Sequence, residues 1–554
     1  MVGSYHTVNA YPAKRWWWPG AVALVFIFAL VLLPLLALFT YIDLSRLTEP
    51  FQNPYLRRVI RFSLVQAFLS TVLAVGLAIP VSLALARRSR FRGRALLLNL
   101  FSVALVIPTV LAVFGIVAVY GRTGWLVQLL ESLGVYTQWS IYGLTGILLA
   151  HVFFNLPLCT RIFLQALNSI PPSHWRTSAQ LGMGARSRFT LLEWPAIKSQ
   201  IIGVVLIVFS LCFTSFAIVM TLGGGPRATT IEVAIYQALR FDFDLVAAVS
   251  LAVVQLCLCA LLVLVCQFSR VETDLKLLPA KSPERYGKDY RWQRWLDFAL
   301  ITLALLFVIT PLLALLVAAI NPVLVKVIFN GLTLKALINT VGVAIVSGAV
   351  SVLLASLLLI SVRHLKIRLG FQRVGKLLES TGLMILIAPP VVIGTGLFLL
   401  LRPVADVFSL ALLLVMLVNA VMSLPFVLRV LSVPFNESAR QYDRLCVSLG
   451  VLSWRRLTLI EWPLLRRPLG LSMALATTFS AGDLTVIALF GSERVMTLPL
   501  LLYQRMGSYR MQEAAVTALL LLLTCLVLFW LLDRVIGGRR QVSKDIAHQA
   551  AINA

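Results

Sequence analysis

Twelve apolar runs follow one another along the chain, each about as long as the hydrocarbon core of a bilayer is thick. A helix needs about 20 predominantly apolar residues to cross that core. The runs lie near residues 20–42, 62–86, 95–119, 141–165, 201–222, 244–268, 297–320, 336–362, 381–401, 407–430, 468–490 and 514–536. We therefore predict an all-α polytopic membrane protein with about twelve transmembrane helices.

The charged residues agree with this class and give an orientation. Only 13% of residues are charged and 60% are hydrophobic, whereas about a quarter of a soluble domain is charged. The net charge of +26 would suggest nucleic acid in a soluble protein, but every basic stretch here adjoins an apolar run. The densest basic loops, 87–94 and 363–376, face the cytoplasm if the N-terminus does. We expect a membrane protein with both termini in the cytoplasm and no nucleic-acid partner.

An internal repeat divides the chain into two halves. LGMGARSRFTLLEWP at 181–195 and LGVLSWRRLTLIEWP at 449–463 are identical at eight of fifteen positions, at a constant offset of 268. The polar, mixed-charge stretch 269–296 reads as a cytoplasmic linker. We predict six-helix halves at 1–268 and 297–554, related by an axis along the membrane normal.

The repeated segment predicts a short helix, a sharp turn and a return into the membrane in each half. Pro171 and Pro434 begin the short helices, with Ser173 and Asn436 as candidate N-caps. The turn that follows needs a left-handed residue, and the return needs a residue compatible with a first helical turn. The candidates are Gly182 and Gly450 for the turn, and Pro195 and Pro463 for the return.

This spacing resembles the coupling loops of ATP-binding-cassette (ABC) importer permeases, in which a glycine is followed by an aliphatic residue and a proline. The family's opening Glu-Ala-Ala is absent, since Arg176-Thr177-Ser178 stands in its place. The resemblance implies the type I importer permease fold and two copies of an ATP-binding subunit, docked on loops 171–195 and 434–463. The coupling residues that it implies are Ala179, Gly182, Glu193, Pro195, Leu449, Gly450, Glu461 and Pro463.

The chain itself has no phosphate-binding loop. Its Gly-Lys dipeptides, at Gly287 and Gly375, are followed by Asp289 and Leu377 rather than by Ser or Thr. We therefore predict a transporter subunit that is not an enzyme and binds no cofactor, with ATP used by the partner subunit. No HExxH or GxSxG motif indicates a membrane enzyme, and no residues with metal-ligand spacing predict a metal site.

Longer stretches resemble the permeases of bacterial importers for thiamine and thiamine pyrophosphate. The stretches are RFSLVQAFLS (61–70), GILLAHVFFNLPL (146–158), LGGGPRATTIEVAIYQAL (222–239), GDLTVIALFG (482–491) and MGSYRMQEAAVTALLLLL (506–523). This resemblance implies a bacterial inner-membrane protein that works by alternating access, with a periplasmic thiamine-binding protein as partner. Two alternatives stay open: a ferric iron importer permease, and an ion-coupled carrier that would need no ATPase.

Polar and aromatic residues inside the apolar runs are candidates for the substrate pathway, because ionisable groups in a membrane are costly and usually functional. Asp483 lies near Phe479 and could attract a cationic solute, and Ser215 and Phe216 occupy the matching region of the first half. The other candidates are His151, Asn155 and Asn419. The alternative is that these side chains form hydrogen bonds between packed helices.

Overall fold

Helices make up nearly all of the described chain. The structure, a computed structural model, describes residues 18–41, 52–89, 91–136, 140–268, 291–385, 388–451, 453–492 and 495–538, and these residues contain no strand. The helices of the first half are α1 (Trp18–Thr40), α2 (Pro54–Arg87), α3 (Arg94–Ala104), α4 (Thr109–Tyr120), α5 (Trp125–Ser132), α6 (Leu144–Asn168), α7 (Pro172–Gln180), α8 (Ala185–Arg188), α9 (Trp194–Phe213), α10 (Phe216–Leu222), α11 (Ile231–Gln237) and α12 (Leu245–Phe268).

The second half follows a similar but not identical order. Its helices are α13 (Arg291–Ala319), α14 (Leu324–Ile328), α15 (Gly331–Arg363), α16 (Gln372–Met384), α17 (Pro390–Leu401), α18 (Ala411–Ser448), α19 (Ser453–Arg456), α20 (Trp462–Gly482), α21 (Thr485–Phe490), α22 (Leu498–Gly507) and α23 (Met511–Gly537). The predicted linker lies outside the described residues up to residue 290, and residues 291–296 already belong to α13.

The all-α membrane class with about twelve helices is confirmed. Among the described residues, eleven helical stretches are long and apolar enough to cross a membrane. The ninth predicted run, 381–401, differs because it is broken: its C-terminal part forms α17, of 12 residues. The third run, 95–119, is also broken, between α3 and α4.

Proline accounts for both breaks. Pro108 precedes α4 with ψ 133°, and Pro389 precedes α17 with ψ 148°. A proline ring disfavours the α conformation of the residue before it and removes one backbone donor, so the preceding helix has to stop. Each half thus carries a half-length helix at the corresponding place in its sequence.

The first helix of each half packs against the opposite half. The N-terminal helix α1 lies on α15 and α17, and α13 lies on α2 and α4. Glycines permit this close approach: a Cβ atom on Gly396 of α17 would lie 2.6 Å from the carbonyl carbon of Pro34 in α1. Small residues allow membrane helices to approach closely because lipid supplies little hydrophobic driving force between them. The two halves are therefore interlocked.

Candidate coupling turns and intramembrane cavity

The two repeated turns have the same backbone geometry. Gly182 has φ +62° and Gly450 has φ +65°, the left-handed region that both were predicted to adopt. In the first turn, Met183 N–H donates to the Ser178 carbonyl at 3.0 Å, and Gly182 N–H donates to the Ala179 carbonyl at 3.1 Å. These two bonds define a Schellman motif, which satisfies the last carbonyls of α7. In the second turn, Val451 N–H donates to the Cys446 carbonyl at 2.9 Å.

The helices that lead into the turns begin differently from the prediction. In the first half, Pro171 itself is the N-cap of α7, so Ser173 is not. In the second half no helix begins at Asn436, because α18 runs without interruption from Ala411 to Ser448 and contains Pro434. The prediction was wrong here because neighbouring helices can re-satisfy the backbone groups that a proline frees inside a membrane protein.

Each returning helix begins before its proline and accommodates it with a π turn. Phe189–Glu193 and Leu457–Glu461 are π-helical. Trp194 N–H donates to the Phe189 carbonyl, five residues back, and the equivalent bond in the second half joins Trp462 to Leu457. A wider turn suits a following proline, whose ring would clash with the carbonyl four residues earlier. Pro195 and Pro463 thus lie in the first turn of α9 and α20.

The predicted coupling residues divide into an exposed group and a buried pair. The exposed group consists of Ala179, Gly182, Pro195, Leu449, Gly450 and Pro463. Leu181, which precedes Gly182, is 67% exposed, and Leu449, which precedes Gly450, is also 67% exposed. Each turn therefore presents a leucine to the outside of the protein. Leu181 was missed as a candidate, although the repeat that placed Leu449 could have found it.

The buried pair is Glu193 and Glu461, which bind arginines at the ends of long helices. Glu193 Oε2 lies 3.4 Å from Arg87 Nη2 at the end of α2. Glu461 Oε1 lies 2.9 Å from Arg363 Nη1 at the end of α15 and accepts a 2.8 Å hydrogen bond from Arg456 Nε. Both carboxylates therefore tether the loop to the helix bundle. The sequence identifies Arg87 and Arg363 only as orientation signals, because no local feature pairs them with these glutamates.

A cavity of about 260 Å³ brings together four of the seven predicted pathway residues. Its lining includes His151, Asn155, Ser215 and Phe216. Thr485 of the second half also lines it, so the cavity lies where the two halves meet. The remaining lining residues are Leu105, Thr109, Phe154, Leu158, Leu211, Thr214, Ala217 and Ile218.

Polar groups on α6 are held in place around this cavity. His151 Nδ1 shares a 2.8 Å hydrogen bond with Ser70 Oγ of α2. Asn155 Nδ2 donates to the His151 carbonyl at 2.9 Å and contacts Cys212 Sγ at 3.4 Å. His151 Nε2 is buried and has no hydrogen-bond partner within the part of the chain that the structure describes. These side chains therefore join helices and also leave one ring nitrogen available.

Ser215 and Asp483 occupy equivalent breaks in the helices that return from the coupling turns. Ser215 separates α9 from α10, and Asp483 separates α20 from α21. The Asp483 carboxylate accepts hydrogen bonds from Thr485 N–H at 3.2 Å and Val486 N–H at 3.1 Å. It thereby caps the first turn of α21. These hydrogen bonds lie at the start of α21 and not between packed helices, so the pathway role of Asp483 stays a prediction.

Asn419 and Phe479 lie apart from the four residues that share the cavity. Asn419 Nδ2 donates to Ser480 Oγ at 3.1 Å, which joins α18 to α20. The Phe479 ring lies 5.0 Å from that of Phe426, centroid to centroid. At the offset of 268, Phe426 and Phe479 correspond to Leu158 and Leu211, which line the cavity in the first half. The second half therefore has an aromatic pair at the two positions where the first half has leucines that line the cavity.

The fold and the paired turns define a class of membrane transport subunit, and comparison with known proteins agrees. Residues 76–272 and 368–541 match the family described as "Binding-protein-dependent transport system inner membrane component". The chain belongs to this family, and it is the multi-pass inner-membrane permease component of an ABC importer.

Within that class, the chain is similar over most of its length to one kind of permease. It is 43% identical to the "Thiamine transport system permease protein ThiP" of Escherichia coli (strain K12), over 96% of this chain and 98% of that protein. The protein of the same name from Brucella abortus (strain 2308) is 41% identical, with 88% and 89% covered. That from Haemophilus influenzae is 38% identical, with 86% and 88% covered. The resemblance seen in the sequence is confirmed.

A more distant likeness exists to a solved structure, "Crystal structure of a bacterial ABC transporter involved in the import of the acidic polysaccharide alginate". It is 17% identical, with a TM-score of 0.36, over 42% of this chain and 85% of that one. At that distance the likeness adds nothing to the assignment.

Proposed function

We propose that this chain translocates thiamine and its phosphate esters across the inner membrane as the permease of an ABC importer. The observation that carries the proposal is the 38–43% identity to three thiamine transport permeases over 86–96% of the chain. Similarity of that extent covers both halves, so it includes the cavity as well as the coupling turns. A periplasmic thiamine-binding protein delivers the substrate, and both termini face the cytoplasm.

Two copies of one ATP-binding subunit dock on the two turns. The support is the match between them: φ +62° and +65° at the glycines, and 67% exposure of both preceding leucines. Two identical ATP-binding subunits require two similar docking surfaces. An exposed aliphatic side chain on a rigid turn can fill a groove of such a subunit. When the two ATP-binding subunits bind ATP and close on each other, they bring the two turns together. The two halves move with the turns, and this motion produces alternating access.

The cavity at the interface of the halves is our candidate for the substrate pathway. Thiamine is a cationic thiazolium joined to an aromatic pyrimidine. The aromatic faces of Phe154 and Phe216 suit a cation and an aromatic ring, and the unpartnered His151 Nε2 suits a hydrogen bond to the pyrimidine. Asp483 contributes to this pathway by holding the start of α21 in place, since its carboxylate accepts hydrogen bonds from two backbone N–H groups there.

Ferric iron is the competing substrate, and reconstitution distinguishes the two. The chain would be placed in proteoliposomes with its ATP-binding subunit, and ATP hydrolysis measured with thiamine-loaded and with ferric-loaded binding protein. We expect stimulation by the thiamine-loaded protein alone. Stimulation by the ferric form alone would reverse the substrate assignment, and uptake driven by an ion gradient without the ATPase would remove the importer mechanism as well.

A further inference from the structure

Two adjacent arginines at the end of α2 connect the first coupling loop to a helix of the opposite half. Arg87 Nη2 lies 3.4 Å from Glu193 Oε2 in the π turn of the loop. Arg87 Nη1 lies 3.5 Å from Asp297 Oδ1 in α13, and Arg88 Nε donates to Asp297 Oδ2 at 3.0 Å. A single guanidinium therefore spans from the loop to the first helix of the second half.

The carboxylates of this cluster are withdrawn from solvent. The Asp297 side chain is 1% exposed and that of Glu193 is 5% exposed, while the arginines are 20% and 26% exposed. A buried carboxylate is costly unless it is paired, and loss of one partner leaves an uncompensated charge. The contacts therefore resist separation, and the loop and α13 are expected to move as one body.

The packing of α13 gives this connection a mechanical consequence. Although it opens the second half, α13 lies on α2 and α4 of the first half as well as on α23 of its own half. Arg87 is at the end of α2, so the ion pairs act at the end of that packed interface. Coupling between distant sites is carried by contiguous rigid elements and ion-pair networks of this kind.

The second loop is held differently. Glu461 pairs with Arg363 and Arg456, and Arg456 also pairs with Asp443. These four residues all belong to the second half. Burial alone lowers the pKa of Arg456, but Asp443 and Glu461 reverse this effect and hold the pKa above its ordinary value. The helix that opens the first half, α1, meets α15 through a neutral hydrogen bond, from Gly20 N–H to Ser361 Oγ at 2.8 Å.

We propose that Asp297 is a positioning residue that transmits motion of the first coupling loop to α13, the first helix of the second half. The first turn thereby moves elements of both halves through Arg87, Arg88 and Asp297. This inference rests on the proposed coupling function of the turns but not on the identity of the solute.

The test compares Asp297→Asn with Asp443→Asn, a matched loss of one carboxylate from the second cluster. Each variant is reconstituted as the full transporter with its ATP-binding subunits and loaded binding protein, and solute uptake per ATP hydrolysed is measured. We expect Asp297→Asn to assemble, to keep basal ATP hydrolysis, and to lower uptake per ATP by about tenfold, within the range known for coupling residues. Asp443→Asn should leave the ratio within about twofold of the unmodified transporter.

A conservative variant keeps the test decisive if Asp297→Asn assembles poorly. Asp297→Glu keeps a carboxylate on α13 for Arg87 and Arg88 and should retain the ratio. Equal ratios for Asp297→Asn and the unmodified transporter, equal losses in Asp297→Asn and Asp443→Asn, or an equal loss in Asp297→Glu and Asp297→Asn would each overturn the proposal. Failure of the unmodified transporter to bind ATP-binding subunits would instead remove the proposed function itself.

Discussion

The carbonyl of Pro311 in α13 lies directly against Gly115 in α4, where a Cβ atom would be 3.0 Å from the carbonyl carbon. Pro34 of α1 meets Gly396 of α17 in the same way. One proline–glycine contact thus holds each exchanged first helix onto the opposite half. The relationship is reciprocal, and it makes the two halves a single interlocked unit.

Substitution of Gly115 or Gly396 should weaken the packing between the two halves. Gly115→Ala and Gly396→Ala each place a methyl group on a backbone carbonyl that has little room to move, and overpacking of this kind costs about 1–3 kcal/mol. We expect a lower midpoint of thermal unfolding in detergent for both variants. Gly76→Ala and Gly342→Ala are the controls, since nothing lies within 4 Å of a Cβ at either position. A midpoint unchanged in the first pair would contradict the close approach.

The coupling turns should tolerate a β-branched residue only at positions whose φ lies outside the left-handed region. Gly182→Val and Gly450→Val force a β-branched residue into the left-handed region at a cost of about 1–2 kcal/mol each. A Cβ at either glycine meets no atom within 4 Å, so backbone strain is the only effect. We expect the double variant to reach the membrane in normal amounts but to lose uptake.

Gly184 supplies the control for this experiment. It has φ −70°, which any residue can adopt, and a Cβ there also meets nothing within 4 Å. Gly184→Val should therefore transport normally. Normal transport by the Gly182→Val, Gly450→Val double variant would contradict the proposal that the ATP-binding subunits dock on these turns.

The exposed leucines of the turns should anchor the ATP-binding subunits. Leu181→Asp and Leu449→Asp place a charge where we expect an apolar groove, and each should weaken subunit binding by about 30-fold, the loss typical of an interface hot spot. Co-purification with the ATP-binding subunit at graded concentrations measures the effect. Leu133→Asp is the control, because Leu133 is 69% exposed but lies outside the repeated loops. Undiminished binding by the double variant would show that the leucines are not contacts.

The aliphatic lining of the cavity should determine whether solute passes. Leu211→Phe introduces the residue found at the equivalent position 479 and should lower thiamine uptake by about tenfold through the lost volume. Basal ATP hydrolysis should not change, because the coupling turns are untouched. Leu264→Phe is the control, since Leu264 on α12 is 50% exposed and Leu211 is 48% exposed. Equal uptake by the two variants would place the pathway elsewhere.

Local features of the sequence were sufficient to predict the approximate number of helices and the two left-handed turns. Apolar length predicted about twelve helices, and the repeat predicted Gly182 and Gly450 in left-handed turns. Both features depend on the residue itself and its immediate neighbours: the thickness of a bilayer, and the absence of a Cβ atom. The continuous helix through Pro434 escaped prediction because its stability comes from helices distant in sequence.

Contacts between distant helices were decided by the tertiary structure alone. The burial of Glu193 with Arg87, the contact of Pro311 with Gly115, and the meeting of His151 and Thr485 around one cavity join segments far apart in sequence. In a membrane, apolar patterning shows that a helix is embedded but not which neighbour each face meets, since lipid and protein are equally apolar. Shape complementarity and the pairing of buried charges make that choice, and both exist only once the helices are assembled.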